Sequence, residues 1–372
     1  MRRGNKFRSS IAVIGIVGVP GRYGGFETLV DNIVRKSSLP WTVYCSYFSY
    51  KQRSKVFESA RCFYLPIKAN GVTSIFYDAY AMLHALIVGH RVLLILGVSG
   101  AIFLPVLRIF FRDVKIVVNI DGIEWRREKW GATAREFLRL SEKIAIKFSD
   151  EVISDNQVIS DYVFNAYGRD STVIAYGGDH VTRNPGSDAY ELRNSLPDIY
   201  DFALCRIEPE NNVEKIIEAS CLSKTNLVFV GNWDASSFGR SLLRKYGECD
   251  NIFLLNPIYD LDVLYALRSE CRIYIHGHSA GGTNPSLVEA LHIDRPIVAY
   301  DCDFNRCTLN NIGKFFNTPE ELAAILGEDV KLDIIVPEAI TKLRDIYSWK
   351  AIRAAYVSLL TKQFSRLQEM KL

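Results

Sequence analysis

Short apolar, β-branched runs alternate with stretches of helical period along the whole chain. In the first half the runs are Ile11 to Ile16, Trp41 to Cys45, Val92 to Leu96, Lys115 to Asn119, Glu151 to Ser154 and Thr172 to Ala175. In the second half they are Asp201 to Cys205, Asn226 to Val230, Ile252 to Leu255, Arg272 to His276 and Pro296 to Tyr300. Strands that are apolar throughout and separated by helices belong to a parallel sheet covered on both faces. The pattern therefore predicts an α/β protein with two doubly wound units. Between them, Arg183 to Pro197 contains Asn184, Pro185, Gly186, Ser187 and Asp188, the turn-forming composition of a linker. The expected organisation is a first domain over 1–183, a second over 198–346, and a helical tail over 347–372.

The most apolar region, Ala79 to Phe111, is interrupted by His84, Gly89, His90, Arg91, Gly97, Gly100 and Arg108. A membrane-spanning helix needs roughly 20 uninterrupted apolar residues, so this region is expected to split into helix, strand and helix. The N-terminus is basic (Arg2, Arg3, Lys6, Arg8), but the apolar stretch from Ile11 to Val19 is short and runs into glycines rather than a small-residue cleavage site. It reads as a first strand, and a cytoplasmic protein is expected.

Three bulk properties narrow the function. A length of 372 residues suits two domains, and 48% hydrophobic with 23% charged residues is the balance of a folded globule. A net charge of +3 excludes a general nucleic-acid binder, which needs a strong basic field to displace counterions from phosphate. The eight cysteines show neither CxxC pairs nor zinc-like Cys/His spacing, so reduced, mostly buried thiols are expected and no metal site.

Candidate chemistry concentrates in loops that follow strands, where open parallel sheets bind ligands. The first is the glycine-rich run Gly15 to Thr28. Glycines there expose backbone N–H groups at a helix start, which favours an anion. The spacing departs from GxGxxG, and Tyr44 to Tyr50 stand where a dinucleotide fold carries an acidic residue, which disfavours a nicotinamide dehydrogenase. Gly15 and Gly18 on their own need only serve a tight turn.

The loop after the fourth of these strands carries Asp121, Glu124, Trp125 and Trp130. Carboxylates accept hydrogen bonds from sugar hydroxyls and indoles pack on the apolar faces of sugar rings. Asp121 can equally cap the next helix. Arg126, Arg127, Lys129, Arg135, Arg139, Lys143 and Lys147 make a basic stretch suited to anionic lipid; with Glu128, Glu136 and Glu142 interspersed, a solvated helix face fits it as well.

In the second half, Arg206 to Asn212 (RIEPENN) brings a guanidinium to a strand end, which suits a diphosphate, or a structural pair with Glu208 or Glu210. His276 to Leu291 (HGHSAGGTNPSLVEAL) opens a helix with glycines, Thr283 and Asn284, and places Glu289 at least a turn into it, where a carboxylate can accept ribose hydroxyls. His276 and His278 lack a third ligand at metal spacing.

Taken together, Arg22 to Thr28 (RYGGFET), Asp121 to Gly131 (DGIEWRREKWG), Arg206 to Asn212 and His276 to Leu291 resemble the GT-B class of retaining, family four-like glycosyltransferases. Within it they resemble the bacterial rhamnosyltransferase branch of capsule and O-antigen synthesis. The resemblance implies two facing Rossmann-like domains, the first for acceptor and the second for a nucleotide-sugar, with a C-terminal helix crossing back. It implies donor contacts from Gly24, Gly25, Arg206, Asn211, Asn212, His276, Gly281, Gly282, Thr283, Asn284 and Glu289. Acceptor contacts would come from Arg22, Tyr23, Phe26, Glu27, Glu124 and Trp125.

Catalytic roles then fall to Arg206, which steadies the leaving diphosphate, to Glu289 and, if the chemistry inverts, to Asp121 as base. Retaining relatives carry a second glutamate where this chain has Gly281 and a lysine where it has Asn211, which implies a less charged donor site. No cofactor or metal is expected. The branch implies dTDP-rhamnose as donor and a lipid-linked saccharide as acceptor, with peripheral contact at the cytoplasmic face of the inner membrane. A sugar-nucleotide epimerase and a catalytically inactive glycan-binding or assembly protein are the competing readings.

Overall fold

The computed structural model describes residues 10–21, 24–127, 130–328 and 337–369. The apolar runs form two sheets. The first contains β1 (Ile11–Ile14), β2 (Trp41–Ser46), β3 (Val56–Phe57), β4 (Ala60–Leu65), β5 (Val92–Leu96), β6 (Lys115–Asn119), β7 (Glu151–Ser154) and β8 (Thr172–Val173), in the order β3-β4-β2-β1-β5-β6-β7-β8. All neighbours in it are parallel except β3 and β4. The second contains β9 (Asp201–Leu204), β10 (Leu227–Val230), β11 (Ile252–Leu255), β12 (Tyr274–His276), β13 (Ile297–Tyr300) and β14 (Lys314–Phe316), in the order β11-β10-β9-β12-β13-β14, wholly parallel.

The central strands are fully buried, as their unbroken apolar runs require: every residue of β1 and β5 is at most 2% exposed. Three strands escape the sequence pattern. In β4 exposed Arg61 and Phe63 alternate with less exposed neighbours, and β3 and β14 are only two and three residues long. The region Ala79 to Phe111 resolves into the helix Thr73–Val88, β5, a 3-10 turn Ser99–Phe103 and the helix Leu104–Phe110.

The chain divides into two units, one ending at Tyr176 and resuming at Trp349, the other spanning Gly177–Ser348. Residues 183–197 lie inside the second unit, where they form the 3-10 turn Ser187–Tyr190 and the short helix Glu191–Asn194. The C-terminal helix Trp349–Glu369 belongs to the first unit. Arg353 donates to the Asn32 carbonyl at 3.0 and 3.2 Å, Tyr356 Oη accepts from Asn119 Nδ2 at 2.8 Å, and Gln363 Nε2 donates to Glu151 at 3.1 Å.

In each sheet the strand order reverses once about a central strand, β1 in the first and β9 in the second. Crevices open at such points, beyond the carboxyl ends of the strands. The loops after β1, β5, β9 and β12 are therefore the ones positioned to bind.

No two of the eight cysteines are bonded, but burial is less general than the sequence suggests. Cys45 and Cys271 are buried, whereas the other six are half-buried; Cys62, for one, lies on β4, where burial is partial.

Among the acids buried in the first unit, Asp78 has a strongly raised pKa. Asp78, 3% exposed on the helix Thr73–Val88, accepts from Ser99 Oγ at 2.8 Å. Gly100 packs so tightly against it that an added Cβ would stand 2.3 Å from the Asp78 Cβ. Burial raises the Asp78 pKa to about 7, against the lowering effect of Ser99 and the Gly100 N–H. An acid whose pKa rises on folding holds its proton better in the folded state, so stability falls as pH rises from the ordinary carboxylate range to about 7. Asp78→Asn is expected to flatten that fall and to melt several degrees above the wild type at pH 8, read from melting temperature against pH; parallel curves would refute the assignment.

Candidate functional site

In the first unit the loop after β1 is shaped by glycine. Gly15 has φ +98° and a Cβ there would stand 2.0 Å from the Leu96 carbonyl oxygen of β5, so only glycine lets the two strand ends meet. The loop then closes on the protein's own carboxylates. Glu27 Oε1 accepts from the Val17 N–H at 2.8 Å, and Asp31 Oδ2 accepts from the Gly21 N–H at 2.9 Å. Glu27 also receives its own backbone N–H, and burial raises its pKa despite these bonds. Thus part of the donor set that the sequence offers to a bound anion is filled by Glu27 and Asp31. Gly24 and Gly25 begin the helix Gly25–Val34, which has no side-chain cap among the described residues. Arg22 and Tyr23 lie outside the described residues.

Phe26 turns toward β5: the nearest neighbour of a Cβ built on Gly97 is the Phe26 ring, at 3.7 Å. Its ring centroid lies 6.5 Å from that of Tyr176, whose hydroxyl donates to Asp121 Oδ1 at 3.2 Å. Asp121 adopts φ +58°, and its N–H donates to Asn119 Oδ1 at 2.9 Å. It caps no helix, since the next one is a 3-10 turn, Glu124–Arg126, that starts from Ile123. Asn119 is held in turn by Tyr356, so the C-terminal helix fixes the strand end that carries Asp121. Phe26, Tyr176 and Asp121 thus meet at the carboxyl edge of this sheet.

Glu124 and Trp125 are engaged within their own segment. Glu124 accepts from Trp130 Nε1 at 3.0 Å and pairs with Arg127 at 3.0 Å. Trp125 Nε1 donates at 3.3 Å to the buried Glu142, which also accepts from Tyr162 and Tyr167 at 2.6 and 2.7 Å. The guanidinium carbons of Arg126 and Arg139 stand 5.2 and 5.4 Å from the Trp125 ring centroid. The result is a preset aromatic and basic loop.

In the second unit the loops after β9 and β12 are clipped together. Asn212, with φ +50°, donates from Nδ2 to the Gly277 carbonyl at 2.8 Å, and Ser279 donates to the Glu210 carbonyl from Oγ at 2.7 Å and from N at 3.1 Å. Buried Asn211 donates to the Arg206 carbonyl at 2.7 Å. The Arg206 side chain is 60% exposed and only loosely paired with Glu208, at 3.7 Å. Its fork is therefore largely unused by the fold. His276 ends β12 at 1% exposure, and neither ring nitrogen has a partner among the described residues. Burial lowers its pKa to about 3, and it stacks on His278 at 4.5 Å.

Gly281 takes φ +116°, and Asn284 caps the helix Pro285–Leu291, its Oδ1 accepting from Ser286 N at 3.1 Å and Oγ at 2.8 Å. Glu289 on that helix receives Arg268 Nη2 at 2.7 Å on Oε2, and His180 Nε2 lies 3.4 Å from Oε1. Burial works to raise its pKa, but Arg268 and His180 outweigh it and hold it at about 2. A carboxylate offers about four acceptor positions, so Glu289 keeps capacity for hydroxyls while staying ionised. Arg268 and His180 were not foreseen from the sequence. Arg268 reads there as an ordinary cation in the last turn of the helix Leu261–Ser269, and His180 stands more than a hundred residues from Glu289. Among the described residues no three His, Cys, Asp or Glu side chains gather in a way that holds a metal ion.

Residues 8–179 match a domain of unknown function, DUF1972. No curated protein matches the chain. Among solved structures it is similar to sucrose-phosphate synthase from Thermosynechococcus elongatus (TM-score 0.78, 16% identity, covering 96% of this chain and 100% of that one). It is also similar to HepE from Anabaena in complex with UDP and glucose (TM-score 0.73, 15% identity, covering 95% and 99%). A third is an E. coli trehalose-6-phosphate protein bound with UDP-2-fluoro glucose (TM-score 0.69, 12% identity, covering 95% and 99%). The fold is GT-B: two Rossmann-like units built on parallel-dominant sheets.

Breaking a buried ion pair by neutralising one partner leaves the other charge uncompensated. Glu289→Gln is expected to cost about 3 kcal/mol in chemical denaturation. Because the folded pKa is depressed, the pair stabilises the fold above the ordinary carboxylate range and that contribution is lost as pH falls toward 2. The variant should therefore lose part of the acid-side slope of stability against pH; an unchanged slope would show that Arg268 does not govern Glu289.

Proposed function

We propose that this chain is a glycosyltransferase that takes a sugar from a nucleotide-sugar held by its second unit. The observation that carries this reading is the exposed Arg206 fork at the switch point of a GT-B unit, on a loop clipped to the one after β12. Glu289, kept ionised on the helix that follows, supplies an acceptor for ribose hydroxyls. The printed descriptions of HepE and of the E. coli protein, with UDP and glucose and with UDP-2-fluoro glucose, support a nucleotide-sugar donor.

In this reading the bond from the anomeric carbon to the diphosphate breaks as the bond to the acceptor oxygen forms, and the acceptor proton passes to the departing diphosphate. Arg206 steadies the negative charge that grows on that leaving group, an electrostatic role worth most in a site closed to water. Were the stereochemistry inverted, Asp121 would take the proton instead; it sits at the carboxyl edge of the first unit with Tyr176 donating to it. The resemblance of the four motifs extends the proposal to rhamnose from dTDP-rhamnose, a lipid-linked saccharide acceptor and a role in bacterial surface polysaccharide synthesis at the cytoplasmic face of the membrane.

The test is thermal stabilisation by dTDP, UDP, GDP and their sugars, since a ligand that binds only the folded state stabilises by about 2.7 kcal/mol at a hundred times its Kd. Selective stabilisation by dTDP and dTDP-rhamnose is expected, and its loss in Arg206→Ala. That variant should itself fold normally, because an exposed pair contributes at most about 1 kcal/mol. Preference for UDP or GDP sugars would overturn the rhamnose assignment. Conversion of donor alone to a different free sugar nucleotide would overturn the transferase in favour of an epimerase, and no response to any nucleotide would overturn the donor site.

A further inference from the structure

The helix Thr73–Val88 has an outer face that a water-exposed helix does not ordinarily carry. Val72, Phe76, Tyr80, Leu83 and Ile87 are 76, 62, 49, 44 and 70% exposed. Their spacing of four, four, three and four residues puts them on one stripe, since each residue advances the helix by about 100°. Among residues 73–88 the charged side chain is Asp78, and it is buried, so the outer face has no charge to hydrate it.

The connections from β4 to β5, β5 to β6 and β6 to β7 all step in the same direction through the sheet, so right-handed crossovers put their helices on one face of it. The 3-10 turn Ser99–Phe103 packs on both the first and the third of these, Thr73–Val88 and Ala132–Phe148. The helix between them adds Val106, Ile109 and Phe110, which are 52, 65 and 73% exposed. An exposed apolar area of this extent marks an interaction surface.

Cations border it. On one side Arg61 shares a face of β4 with Phe63, whose ring lies 4.2 Å from that of His84 on the helix, and Lys68 precedes the helix start; both cations are exposed. On the other side Arg139, Lys143 and Lys147 recur every fourth residue of the helix Ala132–Phe148 and are exposed, with Arg112 at the end of the helix before it. Asp113 and Glu136 are the exposed acids of these same elements.

We propose that this face of the first unit is a membrane-docking surface that lies on an anionic bilayer. A charge-free apolar stripe seats among acyl chains while the flanking lysines and arginines meet the headgroups, the division of labour of an interfacial amphipathic element. No described helix is long and apolar enough to cross a membrane, so the surface lies on the bilayer and does not span it. The inference rests on this surface alone and not on the donor site.

The test is co-sedimentation of the full chain with vesicles of phosphatidylcholine alone and of equal parts phosphatidylcholine and phosphatidylglycerol. The protein is expected to sediment with the anionic vesicles, and progressively less as salt screens the headgroups. The double variant Phe76→Glu, Ile87→Glu should lower partitioning about tenfold or more, given the burial free energy of such side chains. Lys143→Ala and Lys147→Ala should each lower it about fivefold at low salt. All four substitutions lie on exposed positions and should leave melting temperature and nucleotide stabilisation unchanged, which separates failure here from failure of the donor reading. Absence of sedimentation, equal sedimentation with neutral vesicles, or indifference to the Phe76 and Ile87 substitutions would overturn the proposal. So would a wild-type dimer in light scattering that the Phe76 and Ile87 variant dissociates, because a second copy would then cover the face.

Discussion

A buried guanidinium cannot give up its proton, so Arg268, 3% exposed, requires a carboxylate, and Glu289 supplies it. Much of the second unit's binding edge is arranged around this pair. It fixes the helix Pro285–Leu291 against the helix Leu261–Ser269 and keeps Glu289 ionised. The segment that begins the unit lies on the same helix: Gly178 approaches so closely that a Cβ would stand 2.3 Å from the Val288 carbonyl oxygen, and His180 faces Glu289. The segment that ends the unit is tied in as well, since the Tyr347 carbonyl accepts from Gly178 N at 2.8 Å and lies 3.1 Å from His292 Nε2. The candidate ribose ligand and the two ends of the unit therefore converge on the helix Pro285–Leu291 and the residue that follows it.

The two units treat the loops at their strand ends differently. In the first, carboxylates from the following helix satisfy the loop backbone: Glu27 holds Val17 and Asp31 holds Gly21. The side chains that meet at the carboxyl edge beside this braced loop are Phe26, Tyr176 and Asp121. In the second, Asn212 and Ser279 clip the loops to one another through backbone carbonyls, while the Arg206 fork and the His276 ring nitrogens have little or no partner among the described residues. An uncommitted guanidinium matches the charged, hydroxyl-rich donor proposed for the second unit, and aromatic rings at the edge of the first match the proposed sugar acceptor.

The apolar region that a hydropathy reading flags is here resolved by geometry. Its central strand, β5, is buried, while the helices on either side each show one apolar face to the sheet and another to the outside. A helix that is apolar nearly all round belongs in a core or at a lipid boundary. Because the sheet occupies one side, the outer side is what distinguishes this unit from an ordinary Rossmann-like layer.

The sequence by itself determined the α/β class, most of the central strands and the loops that carry candidate chemistry, because a strand buried on both faces must be apolar at every position and a turn packed as closely as that at Gly15 admits no side chain. It did not reveal β3, β4 and β14, whose short or half-exposed segments give no unbroken apolar run. Of the candidate site, Arg206 and Asp121 stand in the sequence just after apolar runs, and Glu289 on the helical stretch that follows the run ending at His276. Their partners were not legible there, since Arg268, His180 and Tyr176 come from distant segments and look locally like ordinary helix or loop residues, as does Tyr356, which holds the neighbouring Asn119. Only the tertiary structure decided that Glu27 braces its own loop, that Asp121 caps no helix, and that Arg206 stays exposed and only loosely paired. Pairing and burial depend on which chain segments the fold brings together, and local sequence carries no record of that.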